Sequence, residues 1–184
     1  MMEKEALMAQ LLSRRPQPWE DLPDFPLYMD QVLSYMERQT IRLDEADALT
    51  ASMVNNYTKS DLVPRAEGKK YDREHLAYLT FICILKRVMS VRDMNLLIRA
   101  ELQGNRPVED GYGAFLQSLD GALGATAREL DAYPETSDAA DAAIHFALLS
   151  YAAGVVSRYC VSLLREEVGE TNEKPKKKRR ERNA

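Results

Sequence analysis

Four polar residues, Ser52, Asn55, Asn56 and Lys59, follow one another at the spacing i, i+3, i+4 and i+7. If this segment is helical, the spacing puts all four side chains on one face. Asparagine amides can pair with adenine edges in the DNA major groove, and lysine and serine side chains can reach guanine or phosphate. The pattern therefore predicts a DNA-reading helix. A solvated helix face with no ligand is the alternative interpretation.

A basic segment comes directly after this predicted helix. It contains Arg65, Lys69 and Lys70, and Arg73 follows in the first turn of the next helix. A tight turn that carries several cations can hold a phosphate backbone. We therefore predict a basic wing over 63–71, with phosphate contacts from these four side chains. An ordinary surface loop is the alternative.

The elements that would position these residues are helices. Thr50, Asp72 and Ser90 are good N-cap residues, and each precedes a segment with apolar residues at helical spacing. The helix after Thr50 should run through Ser60. The helix after Asp72 is apolar around most of its circumference, so we expect it to be central. Apart from a short pairing within 63–71, no strand is predicted, and the fold class is mainly α.

Residues 15–100 resemble a bacterial family known as domain of unknown function 1836. The similar blocks are Trp19-Glu-Asp-Leu-Pro, Leu27-Tyr-Met-Asp-Gln-Val-Leu, Met53-Val-Asn-Asn-Tyr and Lys70-Tyr-Asp-Arg-Glu-His-Leu. More broadly, Tyr57, the Leu62-Val63-Pro64 exit and the basic wing that ends at Tyr71 resemble the DNA-binding domain of the MerR regulators.

This resemblance implies a MerR-like winged helix-turn-helix domain that binds double-stranded DNA. Ser52, Asn55, Asn56 and Lys59 would then enter the major groove. One departure concerns the recognition helix, where MerR regulators carry Arg-Tyr-Tyr and this chain has Asn55-Asn56-Tyr57. The chain therefore lacks one arginine that would anchor phosphate. The resemblance supplies no ligand and no biological process.

Composition predicts four segments along the chain. They are an N-terminal helix and Pro-rich strap at 1–25, the winged helix-turn-helix domain at 26–100, a C-terminal helical hairpin at 114–168 and a disordered basic tail at 171–184. The hairpin is rich in small residues, which favours close packing of its two helices. It would serve as a dimer interface if its apolar faces exceed what one chain covers, or as an effector-binding region.

Two further features of the C-terminal half limit its function. The apolar run 142–156 is shorter than the roughly 20 residues that a membrane span needs, so we expect a buried helix with a buried His145. The 184-residue chain has a net charge of −4, of which residues 101–170 contribute −8 and the tail +5. This balance excludes an all-basic chromatin-type protein.

The sequence indicates neither catalysis nor a cofactor. It has no Gly-rich phosphate-binding loop, and the two cysteines, Cys83 and Cys160, have no zinc-site spacing. We expect both to be buried thiols in the reducing cytoplasm. No cluster of metal ligands is evident, and we expect a protein that is not an enzyme.

Two functions from different classes remain open. The first is a cytoplasmic DNA-binding transcriptional regulator that acts as a homodimer, with an effector that the sequence does not identify and no membrane association. The alternative is a protein-interaction adaptor that retains the helix-turn-helix fold without sequence-specific DNA binding. The −8 charge of residues 101–170 and the missing arginine favour the adaptor. Charge reversal at Lys69 and Lys70 distinguishes the two, because only the regulator needs a basic wing.

Overall fold

The computed structural model describes residues 4–41, 48–103, 106–134 and 138–169. Within these residues the protein is mainly α-helical, as predicted. The described helices are α1 (Lys4–Ser13), α2 (Met29–Met36), α3 (Ala51–Lys59), α4 (Arg73–Leu85), α5 (Val91–Glu101), α6 (Val108–Ala132) and α7 (Ala139–Glu167), with a 3-10 turn at Trp19–Asp21. The predicted disordered tail at 171–184 and residues 42–47 of the connector between α2 and α3 lie outside the described residues.

All three predicted N-caps begin helices. Thr50, Asp72 and Ser90 each accept a hydrogen bond from the backbone N–H three residues further on, at 3.2, 3.1 and 3.2 Å respectively. Each bond satisfies a backbone donor that the first turn of a helix otherwise leaves without a partner. These caps therefore fix where α3, α4 and α5 begin.

α4 is the central helix of the protein, as its apolar circumference predicts. Every residue from His75 to Ile82 is buried, and α2, α5 and α6 all pack against this helix. The main core also includes buried side chains from each of the neighbouring elements: Leu27, Val32, Met36, Val54, Leu62, Val63, Tyr71, Met94, Ile98 and Leu102. The core is therefore built around α4 and lies mostly between α2 and α5.

The segment between α1 and α2 forms a strap that packs against the main domain. Leu22 is buried in a small second cluster with Tyr112 of α6. The Trp19 ring centroid lies 6.3 Å from that of Tyr112, whose hydroxyl donates to the Gln17 carbonyl oxygen at 2.9 Å. Trp19 and Leu22 of the strap are therefore packed against the main domain. Phe25, by contrast, is 61% exposed.

α6 begins at Val108, upstream of the start at 114 that the sequence predicts. Its first turn lies so close to the end of α5 that a methyl group at Gly111 would collide with the Glu101 carbonyl oxygen. The first turns of α6 also pack against α4, and later turns lie beside α1. The beginning of α6 is therefore part of the packed domain.

α7 differs most from the sequence-based expectation. The sequence predicts a buried helix, but α7 is exposed along most of its length, and Val161 is its one buried residue among those described. It is held near its two ends. His145 Nε2 lies 2.8 Å from Glu129 Oε1 of α6, and Arg165 forms an ion pair with Asp93 of α5. The expectation of burial is wrong because the apolar surface of α7 exceeds what one chain covers.

Two smaller expectations about the C-terminal half are also wrong. His145 is half-buried, and Cys160 is exposed on α7. By length and hydropathy alone, α7 could also cross a membrane, and it is the one helix of the described residues for which this holds. Both a lipid bilayer and a protein surface would match an apolar helix of this kind.

Candidate nucleic-acid interface

α3 presents the four predicted base-reading residues at the surface. Ser52, Asn55, Asn56 and Lys59 are all exposed. The opposite side of α3 is fixed in the core by Val54, which is fully buried, and α2 packs against it. We call the four exposed residues the α3 polar face. Its hydroxyl, amide and ammonium groups point away from the core and include no carboxylate.

The end of α3 is held by contacts on two sides. Asp61 adopts a left-handed backbone conformation, with φ of 55°, which turns the chain sharply out of the helix. The next residue, Leu62, is buried, and its N–H donates to the Tyr57 carbonyl oxygen at 2.9 Å. On the other side, the Asn95 amide of α5 donates to the Ser60 carbonyl oxygen at 3.3 Å. These contacts fix the α3 polar face relative to α5.

A tight basic turn follows. Gly68 and Lys69 both have left-handed backbone conformations, with φ of 55° and 66°, and the Lys70 N–H donates to the Glu67 carbonyl oxygen at 2.9 Å. The side chains of Arg65, Lys69 and Lys70 are exposed, and we call these three residues the basic turn. The predicted short pairing within 63–71 is confirmed as a bridge between Glu67 and Lys70.

The basic turn is anchored to the strap just before α2. Leu27 and Tyr71 exchange two backbone hydrogen bonds of 2.8 Å each, and both side chains are buried. Next to this bridge, Lys70 Nζ lies 5.4 Å from the centre of the Tyr28 ring, within range of a cation–π contact. Because Leu27 and Tyr71 are far apart in the sequence, local patterns do not reveal this pairing.

Arg73 has a different environment from the three residues of the basic turn. It is partly buried, and its guanidinium carbon lies 5.6 Å from the centre of the Trp19 ring. Its Nε is buried and has no hydrogen-bond partner. The structure therefore places Arg73 against the strap, whereas Arg65, Lys69 and Lys70 extend from the turn.

His75 and Asp72 support the start of α4 beneath the basic turn. His75 Nδ1 lies 2.6 Å from Asp72 Oδ1, within hydrogen-bond distance, and the His75 ring packs edge-on against Tyr71. Burial by itself would raise the pKa of Asp72. The hydrogen bonds from the His75 side chain and backbone outweigh burial and lower the pKa below its ordinary value. The His75 side chain that supports Asp72 is itself buried, with 5% of its surface exposed.

The chemistry of these surfaces suits an anionic, hydrogen-bonding ligand. Between residues 50 and 73 the chain has five basic and three acidic side chains, and the acidic ones lie outside the α3 polar face. The described residues contain no group of three or more His, Cys, Asp or Glu side chains that could hold a metal ion. The arrangement provides amide groups for base edges and ammonium and guanidinium groups for phosphate.

Comparison with known protein families finds a match over about half of the chain. A family model described as "Domain of unknown function (DUF1836)" matches residues 17–115. The match covers the strap, α2 to α5 and the first turns of α6, and it ends before α7. No curated protein and no solved structure matches the chain.

Proposed function

The chain belongs to the DUF1836 family, and we propose that it is a cytoplasmic, DNA-binding transcriptional regulator with a MerR-like winged helix-turn-helix domain. The observation that carries this proposal is the pairing of two exposed surfaces on a rigid support. The α3 polar face is fixed by Val54 and by the Asn95–Ser60 bond, and the basic turn is fixed by the Leu27–Tyr71 bridge. In sequence-specific DNA binding, one element contacts base edges and another holds the phosphate backbone. The α3 polar face and the basic turn have the chemistry for these two roles.

In this proposal the α3 polar face enters the major groove. Asn55 and Asn56 read base edges, while Ser52 and Lys59 contact a base or a phosphate. Arg65, Lys69 and Lys70 hold the phosphate backbone. Arg73 contributes less, because it lies against Trp19. The functional unit is a homodimer on a two-fold-symmetric DNA site, as is common for helix-turn-helix proteins.

Fluorescence anisotropy with DNA from upstream of the protein's own gene tests the base-reading part of the proposal. Asn55→Ala/Asn56→Ala should weaken specific binding at least about tenfold, because each good amide–base pair contributes roughly 1–3 kcal/mol of discrimination. Binding to unrelated competitor DNA should change little. Gln117→Ala, which removes an exposed amide from α6, is the matched control and should bind like the unmodified chain.

The same titration at several salt concentrations tests the phosphate-binding role of the basic turn. Lys69→Glu/Lys70→Glu should weaken binding to all sequences and make it less sensitive to salt. The slope of log K against log salt concentration should fall by about 1 for each lysine that no longer neutralises a phosphate. Arg99→Glu/Arg128→Glu, at exposed positions on α5 and α6, controls for the change in net charge. A chain that ends at residue 170 lacks the basic tail, so its comparison with the full-length chain measures how much the tail adds to nonspecific DNA binding.

The adaptor is the second candidate function, and the exposed apolar surface of α7 favours it. An adaptor would retain the packed domain but use α7 or the acidic half to bind another protein. DNA binding that is equally weak for every variant, or that disappears only with the tail, would count against the regulator and for the adaptor.

A further inference from the structure

α7 carries a continuous apolar stripe on the side that faces away from the rest of the chain. The α7 stripe consists of Ile144, Leu148, Tyr151, Val155 and Tyr159, whose spacings of three and four place them along one face of the helix. All five are exposed, Leu148 to 62% and Tyr151 to 67%. No acidic side chain interrupts the stripe between its first and last residues. Its position on a regular helix gives it a defined, extended shape.

The stripe and its apolar neighbours form a surface of interface size. The exposed large apolar side chains on this helix between 144 and 163 are Ile144, Leu148, Leu149, Tyr151, Val155, Val156, Tyr159 and Leu163. At on the order of 100 Å² each, they expose about 800 Å², the area that each partner contributes to a standard protein–protein interface. The largest apolar patch on a typical monomer is roughly 300–600 Å². The surface is therefore large enough for a stable interface.

The chain itself does not cover this surface, because α7 is held at both ends in its present orientation. Near the beginning of α7, His145 binds Glu129 and packs against Tyr133 with ring centroids 4.9 Å apart. Near its end, Arg165 pairs with Asp93. The inward side of α7 carries the buried Val161 and the half-buried Phe146 and Leu164. The stripe lies on the other side of the helix and is left for another molecule.

A lipid bilayer fits the stripe less well than a protein does. α7 is long and apolar enough to cross a bilayer, but its uninterrupted run without Asp, Glu, Lys or Arg is limited to 142–157 and contains His145. Spanning would also break the ion pair with Asp93 and withdraw Val161 from its buried position. Binding in the plane of an anionic membrane is opposed by the −8 charge of residues 101–170.

We propose that the α7 stripe binds the α7 stripe of a second copy of this chain. A surface that pairs with itself across a two-fold axis needs no complementary charge, and this stripe is apolar rather than charged. Together with its apolar neighbours Leu149, Val156 and Leu163, the stripe exposes about 800 Å² per copy, which gives the total of roughly 1,600 Å² expected for a stable dimer. This inference names the surface of the proposed homodimer, but the association itself does not depend on DNA binding.

The dimer would also set the distance between the two α3 helices. α7 is joined to α5 through Arg165 and Asp93, and α5 is joined to the end of α3 through Asn95 and Ser60. Pairing through α7 therefore fixes both α3 polar faces on one rigid frame. This consequence, unlike the association, rests on the proposed function.

Sedimentation equilibrium of the full-length chain tests the association. The unmodified chain should be a dimer, and Leu148→Glu/Tyr151→Glu should raise the dimer dissociation constant at least about 100-fold, because the buried carboxylates would have no counter-charge. The matched control is Leu12→Glu/Phe25→Glu, which adds the same charge at sites that are 59% and 61% exposed and lie outside α7. This control should remain a dimer, and far-UV circular dichroism should show the same helix content for all three chains.

Three results would overturn the proposal: a monomeric unmodified chain, a stripe variant that still dimerises, or a control that dissociates equally. Cosedimentation with phosphatidylcholine–phosphatidylglycerol vesicles tests the lipid alternative, and binding that the stripe variant loses would assign the stripe to a membrane. Specific DNA binding by a monomer would leave the proposed regulator intact while it overturned the dimer. A dimer that does not bind DNA would support the α7 interface and count against the proposed regulator.

Discussion

α4 and α7 are both rich in apolar residues, yet they have opposite environments. In α4 every residue from His75 to Ile82 is buried, whereas in the much longer α7 only Val161 is buried among the described residues. α4 is surrounded by α2, α5 and α6, while α7 meets its neighbours mainly near its two ends. Apolar composition alone thus does not tell whether the chain itself covers a helix.

The family model covers α4 but not α7. The match at 17–115 contains most of the strap, α2 to α5 and only the first turns of α6, and it ends before α7. The core of this domain is complete without α7, since its buried cluster takes no residue from that helix. α7 therefore adds little to the packing of the family domain, which is consistent with a role toward a second molecule.

The largest predicted difference in stability is between a leucine substitution in α4 and one in α7. Leu79→Ala in α4 removes a fully buried side chain and should lower the free energy of unfolding by about 2–5 kcal/mol. That is a large fraction of the roughly 5–15 kcal/mol that holds a typical domain together. Urea denaturation followed by circular dichroism measures this decrease.

Leu148→Ala in α7 is the matched comparison, because it removes the same atoms from a side chain that is 62% exposed. In dilute protein the change should stay within about 0.5 kcal/mol, as for most surface substitutions. At high protein concentration the unmodified chain should become more stable than this variant, because dimerisation stabilises the folded state by mass action. Equal decreases for both leucines in dilute protein would contradict the comparison.

The packed domain is largely predictable from local signals. Thr50, Asp72 and Ser90 are identifiable as caps because a cap depends on residues only three positions apart. The central position of α4 follows from its circumference. The environment of α7 cannot be predicted in this way, because the surface left over after one chain has folded depends on all the other elements together.

The sequence predicts the exposed residues of the candidate site, but it does not predict the contacts that hold them in place. Helical spacing identifies the α3 polar face, and the Gly68 turn identifies the basic turn. The Leu27–Tyr71 bridge and the Asn95–Ser60 bond join segments far apart in the chain, so no local pattern contains them. Charge alone groups Arg73 with the phosphate contacts, but the position of its side chain depends on Trp19 in the strap.

A smaller predicted change in stability, at two glycines of α6, tests where the packed domain ends. Gly111→Ala should destabilise the domain by about 1–3 kcal/mol, because the added methyl group collides with the Glu101 carbonyl oxygen and overpacked sites cost this much. Gly113→Ala, in the same helix, meets nothing within 4 Å. It should be neutral or stabilise the helix by up to about 1 kcal/mol. Thermal unfolding of the two variants would show whether the first turns of α6 belong to the packed domain; equal melting temperatures would contradict this assignment.

The smallest predicted effect compares the N-caps of the two helices. Asp72 caps α4 and also binds the buried His75, whereas Asp138 caps α7 through a 3.2 Å bond from the Ala140 N–H; both aspartates are exposed. Alanine at a cap costs about 0.5–2 kcal/mol. Asp72→Ala should fall near the upper end of this range, because it also leaves the buried His75 without its partner. Asp138→Ala should fall near the lower end, and urea denaturation measures both.

The pH dependence of stability tests whether the charge of Asp72 contributes to its cap. Because the pKa of Asp72 is lower in the folded protein than its ordinary value of 3.8, the stabilisation by its carboxylate is fully present above that value. It is lost as the pH falls through the folded pKa. Asn can accept the same cap hydrogen bond but does not ionise, so Asp72→Asn should be less stable than the unmodified chain at pH 6 and should approach it in stability below pH 3.8. A stability difference that stays constant from pH 6 to acid would show that the carboxylate charge contributes nothing at this cap. The cap would then act only through its hydrogen-bond geometry.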